Sequence, residues 1–359
     1  MGTLRGHADV AIVGAGVTGC ACALRLAEGG LRVRVYEARE IAGGASGRNG
    51  GFALGGAAIS YDAARARFGR ERAAALWRLT DRALDRLAEL GGDAFHRTGS
   101  VRLATDAAEA DALATECAAL EEDGFDVALE TALAPPLAGG FRAALVHPRD
   151  GSIHPARWVR RLAACAVGAG ADLREHAPVG SVDELDADCV VLATDGYTQG
   201  LVPKLDAVVR PTRGQVIATA PLERRVYPRP HYTHDGFRYW HQTDDGRLIL
   251  GGFRDLALDD EWTRDESTTS AIQEALESFA SELLDEQPTI THRWAGIFGS
   301  TDDQLPLVGR LPGERELWVS CGYSGHGNVM GLMCGELLAN AILGDMAPEL
   351  ELFDPARAV

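Results

Sequence analysis

The sequence predicts an α/β protein in which a domain built on a parallel sheet is interrupted by a second, α+β domain carrying a mixed sheet and inserted in two pieces. Three observations carry this. An apolar run, Asp9 to Val13, passes directly into Gly14-Ala15-Gly16-Val17-Thr18-Gly19 and an alanine- and leucine-rich segment ending at Glu28. A second buried-strand pattern, Cys189 to Ala193, appears in mid-chain, and a third glycine-rich stretch, Gly322 to Gly327, opens an apolar helix near the end. The first layer is thus resumed twice, and the intervening stretches must build something else. The expected division is residues 1–80, 145–205 and 293–359 for the first domain, and 81–144 and 206–292 for the second.

Size and charge set the class. The chain has 359 residues, 46% hydrophobic and 24% charged, more than one core usually serves, so two domains are expected. A formal net charge of −17 opposes binding to phosphate backbones or anionic membrane surfaces, and no nucleic-acid partner is expected. No apolar run has the length of a membrane span, and the start, MGTLRGHAD, lacks a signal-like apolar stretch, so a cytoplasmic location is expected. Seven cysteines, an odd number scattered through helices and strands, fit reduced thiols; Cys20 and Cys22 diverge on one helix and are read as core, and no metal site is expected. Lys204 is the only lysine.

Each element has its own reason. In the strand–turn–helix at the start, Gly14 permits the tight turn, Gly16 lets backbone approach a pyrophosphate, and Gly19 lets helix and strand pack closely, with Val17 and Thr18 in the first helical turn facing the same negative charge. Gly29-Gly30 stops the helix. A second strand, Leu31 to Tyr36, ends at Glu37 and Ala38, where a carboxylate is placed for ribose hydroxyls and against a 2′-phosphate. This order identifies a Rossmann-like dinucleotide-binding domain. Helices are expected over Ala74–Leu90 and Ala107–Glu122 from leucine spacing, and Pro155 suits the first turn of another. Asp245-Gly246 marks a hairpin turn in the second insert.

Directly after the second strand stands Gly43-Gly44-Ala45-Ser46-Gly47-Arg48-Asn49-Gly50-Gly51. This segment resembles the D-amino-acid oxidase/glycine oxidase superfamily of FAD enzymes, and GASGRNGG is closest to the branch containing gamma-glutamylputrescine oxidase. Further matches run in order to the C-terminus: Asp150 to Arg157, Ala193-Thr194-Asp195-Gly196-Tyr197-Thr198, Trp294-Ala295-Gly296, Pro306 to Gly309 and Gly322 to Gly327. The resemblance implies that Ser46 and Arg48 meet phosphate or ribityl oxygens, that Asn49, Gly50 and Gly51 lie near the flavin, and that Val179 meets the adenine through its backbone. It also places Ala193 and Thr194 beside the cofactor, and Gly325, His326, Gly327, Asn328 and Val329 at the flavin. Covalent relatives attach flavin through a histidine in the glycine-rich loop or a cysteine near the last signature. Here the loop reads Ser46-Gly47-Arg48-Asn49 and Cys321 is offset, so FAD is expected to be non-covalent.

The expected activity is oxidation of a carbon–nitrogen bond in a small primary or secondary amine by hydride transfer to flavin N5, giving an imine and then an aldehyde or keto product. Amine oxidation needs an unprotonated nitrogen, and a dry aromatic pocket disfavours the ammonium form. Tyr232, Phe237, Tyr239 and Trp240 are candidates for such a pocket, Tyr239 foremost. A helix from about Gly327 to Leu338 directs backbone N–H groups towards flavin N1, with His326 at its start. The strand Arg247–Phe253 lacks the lysine that sarcosine-oxidase relatives use for oxygen, so the acceptor is O2 or another partner. Where glycine oxidases carry a carboxylate-gripping arginine in WAGLRPGT, WAGIFGST here carries Phe298, favouring an amine without a nearby carboxylate. The alternatives are a glycine or N-substituted amino acid oxidase in which Arg254 or Arg238 supplies the clamp, or a flavoprotein subunit passing electrons to a partner.

Overall fold

The computed structural model describes residues 7–313 and 316–359; the first six residues, part of the start read above as lacking a leader, lie outside the described residues. Val10, Ile12 and Val35 are almost wholly buried because the sheet they belong to is covered on both faces, which is why its strands read as unbroken apolar runs. Its six strands lie in the order Leu307–Arg310, Leu317–Cys321, Ala187–Leu192, Ala8–Val13, Val33–Tyr36 and Asp172–Arg174. All neighbours are parallel except the first pair. On one face pack the helices Val17–Glu28, Pro155–Gly168 and Gly327–Leu343; on the other lies a smaller apolar cluster around Val190, Leu205 and Leu317.

The glycine assignments have direct geometric causes. Gly14 has φ +102°, and a Cβ on Gly19 would stand 1.9 Å from the Gly14 carbonyl oxygen, so helix and strand approach this closely only without a side chain there.

The second sheet has eight strands in the order Ile290–Ser300, Arg210–Pro221, Arg247–Gly252, Arg238–Gln242, His231–Thr233, Ser100–Ala104, Ala143–His147 and Ala128–Glu130. It is mixed, as expected: His231–Thr233 runs parallel to Ser100–Ala104, and the other pairs are antiparallel. Strands Ala143–His147 and Ile290–Ser300 cross the expected boundaries at 144/145 and 292/293, and helix Arg70–Gly91 crosses that at 80/81. The Asp245-Gly246 turn joins its two strands, with Gly246 at φ +89°. Helices Arg70–Gly91 and Ala107–Glu122 stand where leucine spacing predicts; Asp106 caps the second by accepting from Glu109 N at 2.9 Å. Cys20 and Cys22 are fully buried and all seven cysteines are unpaired. Among the described residues no single helix is long and apolar enough to cross a membrane.

Candidate cofactor and substrate site

A cavity of about 1050 Å³ is lined by the carboxyl ends of the parallel strands and by the face of the eight-stranded sheet. Ligands settle at such strand ends because the loops there turn away and helix N-termini point in. Gly14, Gly16, Val17, Thr18, Glu37, Ala38, Ser46, Arg48, Asn49, Gly50, Val179, Ala193, Thr194, Gly325, His326, Gly327 and Asn328 all line it, as do Tyr239 and Phe298. Three expected cofactor residues do not line it. Gly19 packs against Gly14, Gly51 faces the Ile153 carbonyl, and Val329, in the first turn of helix Gly327–Leu343, is buried in the core.

Local bonds shape the dinucleotide end. Glu37 accepts from Ala15 N at 2.8 Å and from Arg39 N at 2.9 Å, so the carboxylate expected to meet ribose also ties the glycine turn to the second strand. Ser46 Oγ accepts from Val17 N at 3.1 Å, and a Cβ on Gly16 would fall 2.8 Å from that oxygen. Arg48 turns its guanidinium to Glu266 at 2.6 Å, a contact absent from the sequence reading. Asp195, which departs from the family's turn pattern, sits at φ 45° and accepts from Gly299 N at 2.9 Å and Gly322 N at 2.8 Å. It ties together three separated parts of the wall.

At the other end the walls are aromatic. Tyr239 meets Phe52 edge-on at 5.5 Å, and a Cβ on Gly50 would stand 2.6 Å from its ring, so both glycine loop and strand are shaped around it. Burial pushes its hydroxyl up to about 12. Tyr232 and Phe237 also line the cavity. Trp240 does not: it is fully buried on the opposite face of its strand, packed with Tyr227, His231 and Phe279. Strand alternation sends Tyr239 and Trp240 to opposite sides, and only the fold decides which side holds the cavity.

Phe298 is half-buried beside Gly214 and is not alone there. Gly252, at φ 120°, and Phe253, at φ 64°, turn the chain so that Arg254 enters the cavity, its guanidinium carbon 4.6 Å from the Phe237 ring centroid and 5.9 Å from that of Phe298. Among the described residues Arg254 makes no hydrogen bond or ion pair, and burial pulls its pKa below the usual guanidinium value. Arg238, the other arginine considered for that role, is committed to Asp255 at 2.6 and 3.0 Å and to the Phe253 ring at 3.7 Å.

His326 precedes helix Gly327–Leu343 without capping it through its side chain. Among the described residues its buried Nδ1 has no hydrogen-bond partner, and burial pushes the imidazole down to about 4, so at neutral pH the ring is uncharged. The positive reinforcement that a protonated His326 would add is therefore absent, which leaves the backbone N–H groups of the helix N-terminus as the partial positive charge at this point of the wall. A turn that accepts backbone approach at Gly16, a helix N-terminus, and a buried nitrogen awaiting a partner at the cavity wall together fit a bound dinucleotide–flavin. Cys321 is buried off the cavity wall, its thiol pushed up by burial.

The comparisons with known proteins agree with this geometry. The family model described as FAD dependent oxidoreductase (DAO) matches residues 9–341. The "Probable oxidoreductase OrdL" of Haemophilus influenzae is 27% identical over 375 residues, covering 94% of this chain and 84% of that protein. The "Gamma-glutamylputrescine oxidoreductase" of Escherichia coli is 27% identical over 365 residues, again covering 94% and 84%. Among solved structures, glycine oxidase from Geobacillus kaustophilus superposes with a TM-score of 0.81 at 23% identity, covering 99% of this chain and 100% of that one. L-proline dehydrogenase from P. horikoshii gives 0.80 at 22% identity, with 98% and 97% covered. The chain belongs to the DAO family of FAD-dependent oxidoreductases, whose members act on amine and amino-acid substrates.

Proposed function

We propose that this protein oxidises the carbon–nitrogen bond of a small primary or secondary amine, with residues 1–80, 145–205 and 293–359 chiefly holding FAD and the remainder chiefly holding substrate. FAD, when bound, supplies the hydride acceptor at N5. The observation that carries the reading is that Tyr239, Phe237 and Phe298 line one cavity together with Gly50 and the N-terminus of helix Gly327–Leu343. That wall excludes water and disfavours an ammonium, so the amine enters the reaction uncharged. The helix N-terminus favours negative charge next to it.

A second reading is favoured by Arg254. An unpartnered guanidinium beside aromatic rings is costly until an anion meets it, so an amine carrying a nearby carboxylate fits the same wall with Arg254 as its anchor. Anaerobic bleaching of the flavin by a panel of amines and amino acids tests both readings; a panel that leaves the flavin oxidised throughout would refute them together. Turnover under air separates an oxidase from a subunit that hands electrons to a partner. In this reading FAD is non-covalent, since no cysteine lines the cavity and the loop position used by covalent relatives is Ser46-Gly47-Arg48-Asn49. Acid precipitation should then release the yellow colour to the supernatant.

A further inference from the structure

Glu266 lies in the segment between helices Leu258–Glu261 and Ser270–Leu284. The segment is fixed from behind. Buried Arg213 donates to the Glu261 carboxylate at 2.8 and 3.0 Å and to the Ser267 carbonyl at 3.2 Å, while Gln215 donates to the Thr269 hydroxyl at 2.9 Å. Glu266 is therefore presented on an anchored strap. Its carboxylate accepts from Arg39 Nη1 at 2.7 and 3.0 Å, from Arg48 Nη1 at 2.6 Å and from the Tyr197 hydroxyl. Burial raises its pKa, but the bonds from Tyr197 and Arg39 and the charge of Arg48 outweigh this and hold Glu266 below its ordinary value, ionised.

Arg39 and Arg48, from the connection after the second strand, and Tyr197, from the turn after strand Ala187–Leu192, all line the cavity, whereas Glu266 does not. The Arg39 guanidinium lies 5.0 Å over the Tyr197 ring. Both arginines reach Glu266 through Nη1 alone, so among the described residues the Nε and Nη2 groups of each have no hydrogen-bond partner. Glu266 offsets one of the two guanidinium charges and the Glu37 carboxylate also lies near Arg39, while each arginine keeps N–H donors suited to phosphate oxygens.

We propose that Glu266 is a positioning residue for FAD: the strap fixes Arg39 and Arg48 so that their remaining N–H groups close on the dinucleotide and slow its release. This rests on the FAD reading of the cavity. Arginine side chains held in advance lose less rotamer freedom when the ligand arrives. Glu266→Gln leaves a neutral acceptor of nearly the same shape, and Glu266→Asp restores the charge on a shorter arm. FAD release from the holoenzyme is followed by the rise of free-flavin fluorescence, and the melting temperature of apoprotein is measured alongside. Release should be about tenfold faster in Glu266→Gln, the change that corresponds to about 1.4 kcal/mol. The apoprotein melting temperature should hold, and Glu266→Asp should recover part of the loss. Unchanged release would overturn the proposal, and slower release would show that the carboxylate competes with FAD for the arginines. If Glu266→Gln does not fold, Tyr197→Phe removes one bond to the carboxylate and no charge; it should still quicken release, and unchanged release there also overturns the proposal. Apoprotein of the unmodified chain that takes up no FAD would refute the cofactor reading instead.

Discussion

Asn49 and Asn328, 279 positions apart, exchange two hydrogen bonds: Asn49 Nδ2 donates to Asn328 Oδ1 at 3.1 Å, and Asn328 Nδ2 donates to Asn49 Oδ1 at 3.0 Å. Asn49 Oδ1 also accepts from Gly51 N at 2.9 Å, and Asn328 Nδ2 donates to the Phe52 carbonyl at 2.7 Å. The glycine-rich loop and the start of the last long helix are thereby locked to each other, and a group bound between them meets both in a fixed relation.

The first prediction tests that lock. Asn49→Ala and Asn328→Ala should each weaken FAD binding, and the double variant should lose less than the sum, with a coupling of about 1 kcal/mol for a partly buried pair. Titration of the apoproteins with FAD measures all four affinities. Additive losses would show that the two amides act independently.

A second prediction concerns the anchor. If a substrate carboxylate meets Arg254, Arg254→Met should raise KM for carboxylate-bearing amines by about a hundredfold, on the order of 2–3 kcal/mol for a charge-assisted bidentate pair. Carboxylate-free amines of similar length should be little affected. Equal losses for both classes would assign Arg254 to packing over Phe237 and Phe298, and leave Phe298 as the feature that disfavours amino acids.

Asp150 yields a prediction on pH and stability. It is 4% exposed, accepts from Gly55 N at 2.8 Å and Ser100 Oγ at 2.6 Å, and burial pushes its carboxyl from 3.8 up to about 7. Because the folded value exceeds the unfolded one, its contribution is fully present below about 3.8 and is lost as pH rises through about 7. Asp150→Asn cannot titrate and keeps one acceptor and one donor for the same partners. Its melting temperature relative to the unmodified protein should therefore be more favourable at pH 8 than at pH 5; an identical difference at both would show that Asp150 does not titrate in this range.

His326 is the subject of the fourth. Since burial holds the ring neutral, with its pKa at about 4, it contributes no charge to flavin reactivity at pH 6–8. Sulfite affinity of the flavin should change by less than about threefold, or about 0.7 kcal/mol, in His326→Ala. A titration step in sulfite binding near pH 6.5 that disappears in the variant would mean the imidazole is protonated in the holoenzyme.

Features set by neighbours along the chain were legible in the sequence. Gly14 and Gly19 are five residues apart, and the need for a positive φ at one and no Cβ at the other follows from a strand turning directly into a helix. Leucine spacing placed a helix over Ala74–Leu90, which runs in the structure from Arg70 to Gly91, and Asp245-Gly246 placed a hairpin, for the same local reason. Period-2 alternation also required that Tyr239 and Trp240 face opposite ways, but which face is walled by Phe52 and Gly50 and which is filled by Phe279 depends on packing between distant segments. The sequence offered Arg254 and Arg238 alike as a clamp, and only the backbone turn at Gly252 and Phe253, which brings Arg254 inward, separates it from Arg238, held by Asp255; Glu266 lies in a stretch with no periodicity, given its place by Arg213 and its partners by Arg39, Arg48 and Tyr197. Backbone conformation is dictated largely within a few residues, and the sequence by itself determined that much. Where a charge ends up, and whether anything meets it there, is decided only by contacts across the folded chain.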